Sequence, residues 1–332
     1  MQIKFAGALV DRLEADRCLH LAFSRTVCFH RSVEFPGRSR STASTYAALT
    51  DVLDGPDLNG PADSPPASET QEPTMTVAEF LTLLRMRGWA RFPSVLSADF
   101  TAQLALDLQA AYERCRDLQI AKGMDAGTYG TAHHILWHDT SLDELLRRRT
   151  LHDYLAAFFG GPYILNSYGG VLNHPGHAAY VSRVHRDVRT YLPGSPLMIN
   201  MLVMLDPFTS DNGATLVLSG SNHLPERPSD DFFAQHAERF LGEPGDIVLF
   251  DSNVWHAAGE NRSSQVRRAL TLTFTRPFMK QQLDYPRYLS ADYANTLDDH
   301  MRQILGYKAR VPSNLDEWYQ PPATRFYQPD QG

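Results

Sequence analysis

Pro244-Gly245-Asp246-Ile247-Val248-Leu249-Phe250-Asp251-Ser252-Asn253-Val254-Trp255-His256 reads as a turn, a strand and then a ligand. Pro-Gly-Asp is turn chemistry, and residues 246–250 form a short apolar, β-branched run. The same texture recurs at residues 163–173, 197–205, 214–218 and 268–274, with turns at Pro193-Gly194 and Asp211-Asn212-Gly213. Helical patterns come first. Thr76-Val77-Ala78-Glu79 is a capping box ahead of Phe80, Leu81, Leu83 and Leu84. A second helix is predicted from Ser97 to about Ile120, where Leu104, Leu108, Ala111 and Tyr112 keep helical spacing. A third covers residues 151–159 and stops at Gly160-Gly161, and a last helix is expected over residues 294–305. Helices followed by many short strands predict a mainly β fold with flanking helices, its core a double-stranded β-helix of the jelly-roll or cupin-like kind.

A chain of 332 residues with 43% apolar content can build a substantial core. Residues 36–73 are rich in Ser, Thr, Ala, Pro, Gly and Asp and cannot offset the entropy of ordering. Residues 1–74 are therefore expected to be a disordered extension, and residues 75–332 the folded domain, with its β core over about 160–280. Met75, just before the capping box, is a candidate initiator. The formal charge of -7 argues against a nucleic-acid surface. Arg147-Arg148-Arg149 sits where a helix would end, a place that favours cations anyway. Cys18, Cys28 and Cys115 are odd in number and lack metal spacing, which suggests reduced thiols in the cytoplasm. The apolar run of residues 5–10 is too short for a secretory core, and nothing reaches membrane-spanning length.

The chemistry begins at His185-Arg186-Asp187. On a strand, residues i and i+2 share a face, so His185 and Asp187 would converge on one ion with Arg186 turned away. Such a tripeptide arises about once by chance in a chain of this composition, so its context matters. His256 adds a second imidazole. Two histidines and one carboxylate leave open positions and suit ferrous iron that must bind an organic cosubstrate and dioxygen. Arg267, eleven residues later, begins the next strand run. It could hold the far carboxylate of a 2-oxo acid by a planar two-point contact.

With Asp211-Asn212-Gly213-Ala214-Thr215, Ser219-Gly220-Ser221-Asn222-His223, Asn261-Arg262 and Val266-Arg267-Arg268-Ala269-Leu270, the sequence resembles the phytanoyl-CoA dioxygenase family of Fe(II)/2-oxoglutarate oxygenases. The resemblance implies that His185, Asp187 and His256 bind iron and that Arg267 binds 2-oxoglutarate, with Arg268 on the opposite strand face. It departs from relatives at Ser219, where Pro is frequent, at Ala258, where some carry a hydroxyl, and at Leu202, where some carry Trp. Related halogenases lack the carboxylate ligand, so Asp187 disfavours halogenation.

Other residues carry two readings each. His134 and His138 are four apart, as on a zinc-protease helix, but Ile135 stands where the glutamate base belongs; with His133 they otherwise line a substrate pocket or serve structure. His174 and His177 flank a turn and could touch substrate. His223 has a local hydrogen-bonding role. Arg189 faces either an anionic substrate group or solvent. Asn173 and Asn200 contact cosubstrate or substrate, or are satisfied core amides.

The expected activity is hydroxylation of an unactivated C–H bond of a small organic molecule, using Fe(II), 2-oxoglutarate and O2 and releasing succinate and CO2. Two alternatives stand beside it: a cupin-like metal-dependent isomerase or lyase, for which Arg267 has no purpose, and a non-catalytic metal-binding relative. The expected partner is a small-molecule substrate, with no nucleic acid and no membrane; oligomeric state and substrate identity are not readable from the residues.

Overall fold

A computed structural model describes residues 75–177 and 180–325, which fall within one compact unit. The disorder expected for residues 1–74 lies outside the described residues.

Thr76 caps the first helix, Val77–Arg87, in a full capping box with Glu79. Gly88, in the left-handed conformation at φ 83°, ends it and turns the chain into β1 (Trp89–Phe92). Ser97 caps the helix Ala98–Ala121, and Gly160 closes the helix His152–Phe159. The remaining strands are β2 (Thr131–His133), β3 (Ile164–Asn173), β4 (Met198–Met204), β5 (Leu216–Val217), β6 (Glu238–Arg239), β7 (Ile247–Asp251), β8 (His256–Ala257) and β9 (Arg267–Thr275).

Six strands form one antiparallel sheet in the order β1-β7-β4-β9-β3-β2, and three form a smaller one in the order β6-β5-β8. Period-two alternation divides the large sheet into two faces. Ile199, Met201 and Val203 of β4, with Leu270, Leu272 and Phe274 of β9, pack in a core shared with Leu104 and Leu108 of the long helix. Leu202, Met204, Val248, Phe250 and Ala269 face the other way and meet Val217 of the small sheet and Phe240 beside it. The long helix comes very close to β3: a Cβ on Gly170 would lie 2.2 Å from a methyl of Leu108.

The fold is mixed rather than mainly β, because helices hold more residues than strands. Strands β1, β2, β5, β6 and β8 have four residues or fewer, too short for a period to show. The expected helix over residues 294–305 is two, Ala291–Asn295 and Asp299–Ile304. Asp298 accepts from the Met301 amide at 2.7 Å and starts the second. Residues 134 and 138 share no helix: His133 ends β2 and His134 turns with φ 56°. Arg147 and Arg148 pair with Asp143 and Glu144 one helical turn earlier. Among the described residues, no helix is long and apolar enough to cross a membrane.

Candidate metal centre

His185 and Asp187 do not lie on a regular strand, contrary to the expectation from their spacing. His185 forms a single antiparallel bridge with His256, exchanging two backbone hydrogen bonds of 2.9 Å. The Asp187 and Val188 amides then both donate to the Ser252 carbonyl, at 3.1 and 3.3 Å. The segment is thus zipped at both ends onto residues 252–256. That pins the two side chains toward His256 as a strand would.

His185 Nε2 lies 3.6 Å from Asp187 Oδ1, and His256 Nε2 lies 3.6 Å from Asp187 Oδ2. All three ligand atoms are within 4.8 Å of one another, close enough for one ion to touch them all. The ring tautomers fit the same use. His185 Nδ1 is 2.7 Å from the Arg183 carbonyl and His256 Nδ1 is 3.0 Å from the Val254 carbonyl. A carbonyl only accepts, so each Nδ1 carries the hydrogen, and both Nε2 atoms turn toward the carboxylate. Lone pairs facing a carboxylate repel it unless a cation stands between them. Burial lowers the His256 pKa, against the pull of Asp187, so a second proton on that ring is disfavoured. A metal ion meets this demand, and two imidazoles with one carboxylate is a ligand set for divalent iron.

The carboxylate is held in turn. Asn200 donates its amide to Asp187 Oδ2 at 2.8 Å and to Ser252 Oγ at 2.9 Å, and accepts from Thr273 Oγ at 2.8 Å. Of the two readings of Asn200, its hydrogen bonds fit the satisfied amide, committed to Asp187, Ser252 and Thr273, while the residue still lines the cavity. Asn173 is likewise a satisfied core amide, donating to the carbonyls of Gly213 and Gly259.

Arg267 opens β9 and is 2% exposed. Its Nη2 donates to the Gly213 carbonyl at 2.8 Å, its guanidinium lies 4.3 Å over the Phe208 ring, and its Nε has no partner among the described residues. Desolvation pulls its pKa down to about 10. A buried guanidinium with a spare donor calls for an anion, and a carboxylate is its planar match. Arg268 points the other way and forms a two-point pair with Asp206, at 2.7 and 2.9 Å.

The triad, Asn200 and Arg267 line one cavity of about 630 Å3. Arg189 is on its lining and exposed. Ala258 and Leu202 line it too, so neither supplies a polar group to a cosubstrate. His174 and His138 are not on that lining. The His174 ring packs on Tyr129 at 4.8 Å, as does His177 at 4.3 Å, and His138 pairs with Asp139 at 2.6 Å. His223 Nε2 lies 2.7 Å from the Arg85 carbonyl, a partner 138 residues away rather than within its own turn. Sequence reasoning did not single out Thr271, Thr273, Ser167, Tyr180 or Gln282 on the lining. Counting by twos from Arg267 would have found the two threonines.

A family model described as Phytanoyl-CoA dioxygenase (PhyH) matches residues 84–269. The uncharacterized protein Rv1501 of Mycobacterium tuberculosis (strain ATCC 25618 / H37Rv) is 42% identical over 148 residues, 45% of this chain and 54% of that protein. Dioxygenase cdmA of Talaromyces verruculosus is 30% identical over 204 residues, covering 56% of this chain and 65% of its own. Multifunctional dioxygenase ausE of Aspergillus calidoustus is 23% identical over 269 residues, covering 74% and 89%. The match to the mycobacterial relative spans about half of that protein's length.

Proposed function

The chain belongs to the phytanoyl-CoA dioxygenase family, and from that premise we propose that it is an Fe(II)- and 2-oxoglutarate-dependent dioxygenase. It hydroxylates a C–H bond of a small organic molecule and releases succinate and CO2. The observation that carries this reading is the pair of Nε2 atoms turned on one carboxylate, with a buried arginine lining the same cavity. His185, Asp187 and His256 hold the iron, and Asn200 orients Asp187. Arg267 binds the far carboxylate of 2-oxoglutarate, and that contact restores the pairing its burial removed. An isomerase or lyase on the same metal would leave this guanidinium without purpose. The metal with its cosubstrate supplies oxidative decarboxylation coupled to oxygen activation. The protein's work is to place the substrate bond beside the metal and to keep water out. Two antiparallel sheets packed through an apolar core, with Asn200, His256 and Arg267 of the site on their strands, support a double-stranded β-helix of the jelly-roll kind.

Succinate release from 2-oxoglutarate tests the reading. Purified chain with Fe(II) is expected to form succinate only when oxygen is present, and Asp187→Ala to abolish it. Oxygen-independent turnover, or full activity in Asp187→Ala, overturns it.

A further inference from the structure

Four side chains on the cavity lining take no part in holding the triad or Arg267: His133, His134, Tyr180 and Gln282. They come from separate parts of the chain. His133 ends the edge strand β2, and His134 follows it in a left-handed turn. Tyr180 lies in the connection from β3 to His185, and Gln282 follows β9. Resting on the reading of this cavity as the active site, we infer that these four residues form the substrate subsite and that it takes a neutral, hydroxyl-bearing molecule of the polyol or glycoside class.

The wall is polar without being charged. His133 Nε2 and the Tyr180 hydroxyl are 3.1 Å apart. His134 Nδ1 lies 3.3 Å from the hydroxyl of the fully buried Tyr285. Although His133 is open to the cavity, the surrounding protein desolvates it, and both imidazoles have their pKa lowered by burial. The Tyr180 phenol is raised, first by burial and then by Asp187. All three are therefore neutral near pH 7. A neutral imidazole has one donor and one acceptor. Each histidine here spends one ring nitrogen on a phenol and leaves the other unpaired among the described residues. The Gln282 side chain likewise makes no hydrogen bond to a described residue. Ser167 and Thr271 add hydroxyls to the same lining. Tyr180, 47% exposed, offers a ring face on which the C–H face of a sugar could lie.

This wall selects against the obvious rivals. An acyl chain would desolvate each unpaired polar group without replacing its hydrogen bond. None of these four residues carries a charge to pair with an ionic group. Of the cations on the cavity lining, Arg186 donates to the Leu224 and Pro225 carbonyls, Arg267 is buried against Phe208, and Arg189 is exposed. A cavity of about 630 Å3 exceeds the needs of a five-carbon cosubstrate and leaves room for a drug-sized molecule.

Saturation-transfer NMR on the full chain tests this, with methyl β-D-glucopyranoside and sucrose as hydroxylated probes and methyl octanoate and an octanoyl thioester as uncharged acyl probes. It is run without metal or cosubstrate, then with diamagnetic Zn(II) and 2-oxoglutarate. The metal-free arm stays readable even if the iron assignment fails. The hydroxylated probes are expected to give signal that drops at least fivefold in Tyr180→Phe and in Gln282→Ala, while the acyl probes give none. Tyr180→Phe removes one oxygen from an exposed ring, so the fold is kept. Absence of glycoside signal, preferential acyl binding, or glycoside signal undiminished in both variants overturns the assignment.

Discussion

Asn200 donates to Asp187 Oδ2 across 2.8 Å while Thr273 donates to Asn200 across 2.8 Å, so a residue of β4 couples the carboxylate of the candidate metal centre to β9. The amide fixes which carboxylate oxygen is occupied and keeps Oδ1 free for an ion. Asn200→Ala is expected to weaken divalent-metal binding about 10–100-fold, the usual effect of losing an outer-shell partner. Calorimetric titration with Mn(II) measures this without turnover. Unchanged affinity would reduce Asn200 to a packing residue.

Arg267 can be tested apart from the metal. Its fork geometry matters as well as its charge, so Arg267→Lys should fail nearly as badly as Arg267→Ala. Either change is expected to weaken 2-oxoglutarate binding by about 30-fold or more, the worth of lost charge-assisted hydrogen bonds, with Mn(II) affinity unchanged. Equal cosubstrate affinity in Arg267→Lys and the native protein would remove the two-point contact.

Gly213 holds the turn against which Arg267 rests. Its φ is 79°, and a Cβ there would lie 2.2 Å from Asn173 Nδ2 and 2.7 Å from the Gly259 carbonyl. Gly213→Ala is expected to cost about 1–3 kcal/mol of stability. It should also impair 2-oxoglutarate binding, because the Gly213 carbonyl accepts from Arg267. Chemical denaturation and cosubstrate titration read the two effects separately.

Much of this was legible in the residues, for identifiable reasons. Thr76, Ser97 and Gly160 are caps, which act locally, and the helices they bound fall where expected. Strands β3, β4, β7 and β9 carry enough residues for an apolar run to be read. The convergence of His185 with Asp187 was inferred from strand alternation, yet it comes from backbone bonds to Ser252 and His256, which no local pattern reveals. The partners of Asn200 were hidden for a similar reason: Asp187, Ser252 and Thr273 are 13 to 73 residues away in sequence. The rings of His138 and His174 pack on Tyr293 and Tyr129, contacts with distant segments that local spacing does not reveal.

A pH effect should arise far from the metal centre. His300 is pulled from its ordinary 6.5 to about 4, first by burial, then by His152 and Arg149, with Asp298 opposing. The unfolded chain thus binds the proton more readily, and stability that is complete above about pH 6.5 is lost as pH falls toward 4. Since His300 is only half-buried, solvent screening limits this to about 1–2 kcal/mol. Denaturant unfolding at pH 7 and pH 4 should show a smaller acid loss in His300→Gln than in the native chain. An identical acid loss in the two would refute it.

The central claim is that one iron and one 2-oxoglutarate share the cavity between His185, Asp187, His256 and Arg267. The most direct measurement is the visible spectrum of the full chain with Fe(II) and 2-oxoglutarate under strict anaerobiosis. A weak charge-transfer band is expected only when both are present, shifted to higher 2-oxoglutarate concentration in Arg267→Ala and absent in Asp187→Ala. A native chain that shows no band, or a band indifferent to both substitutions, would contradict it.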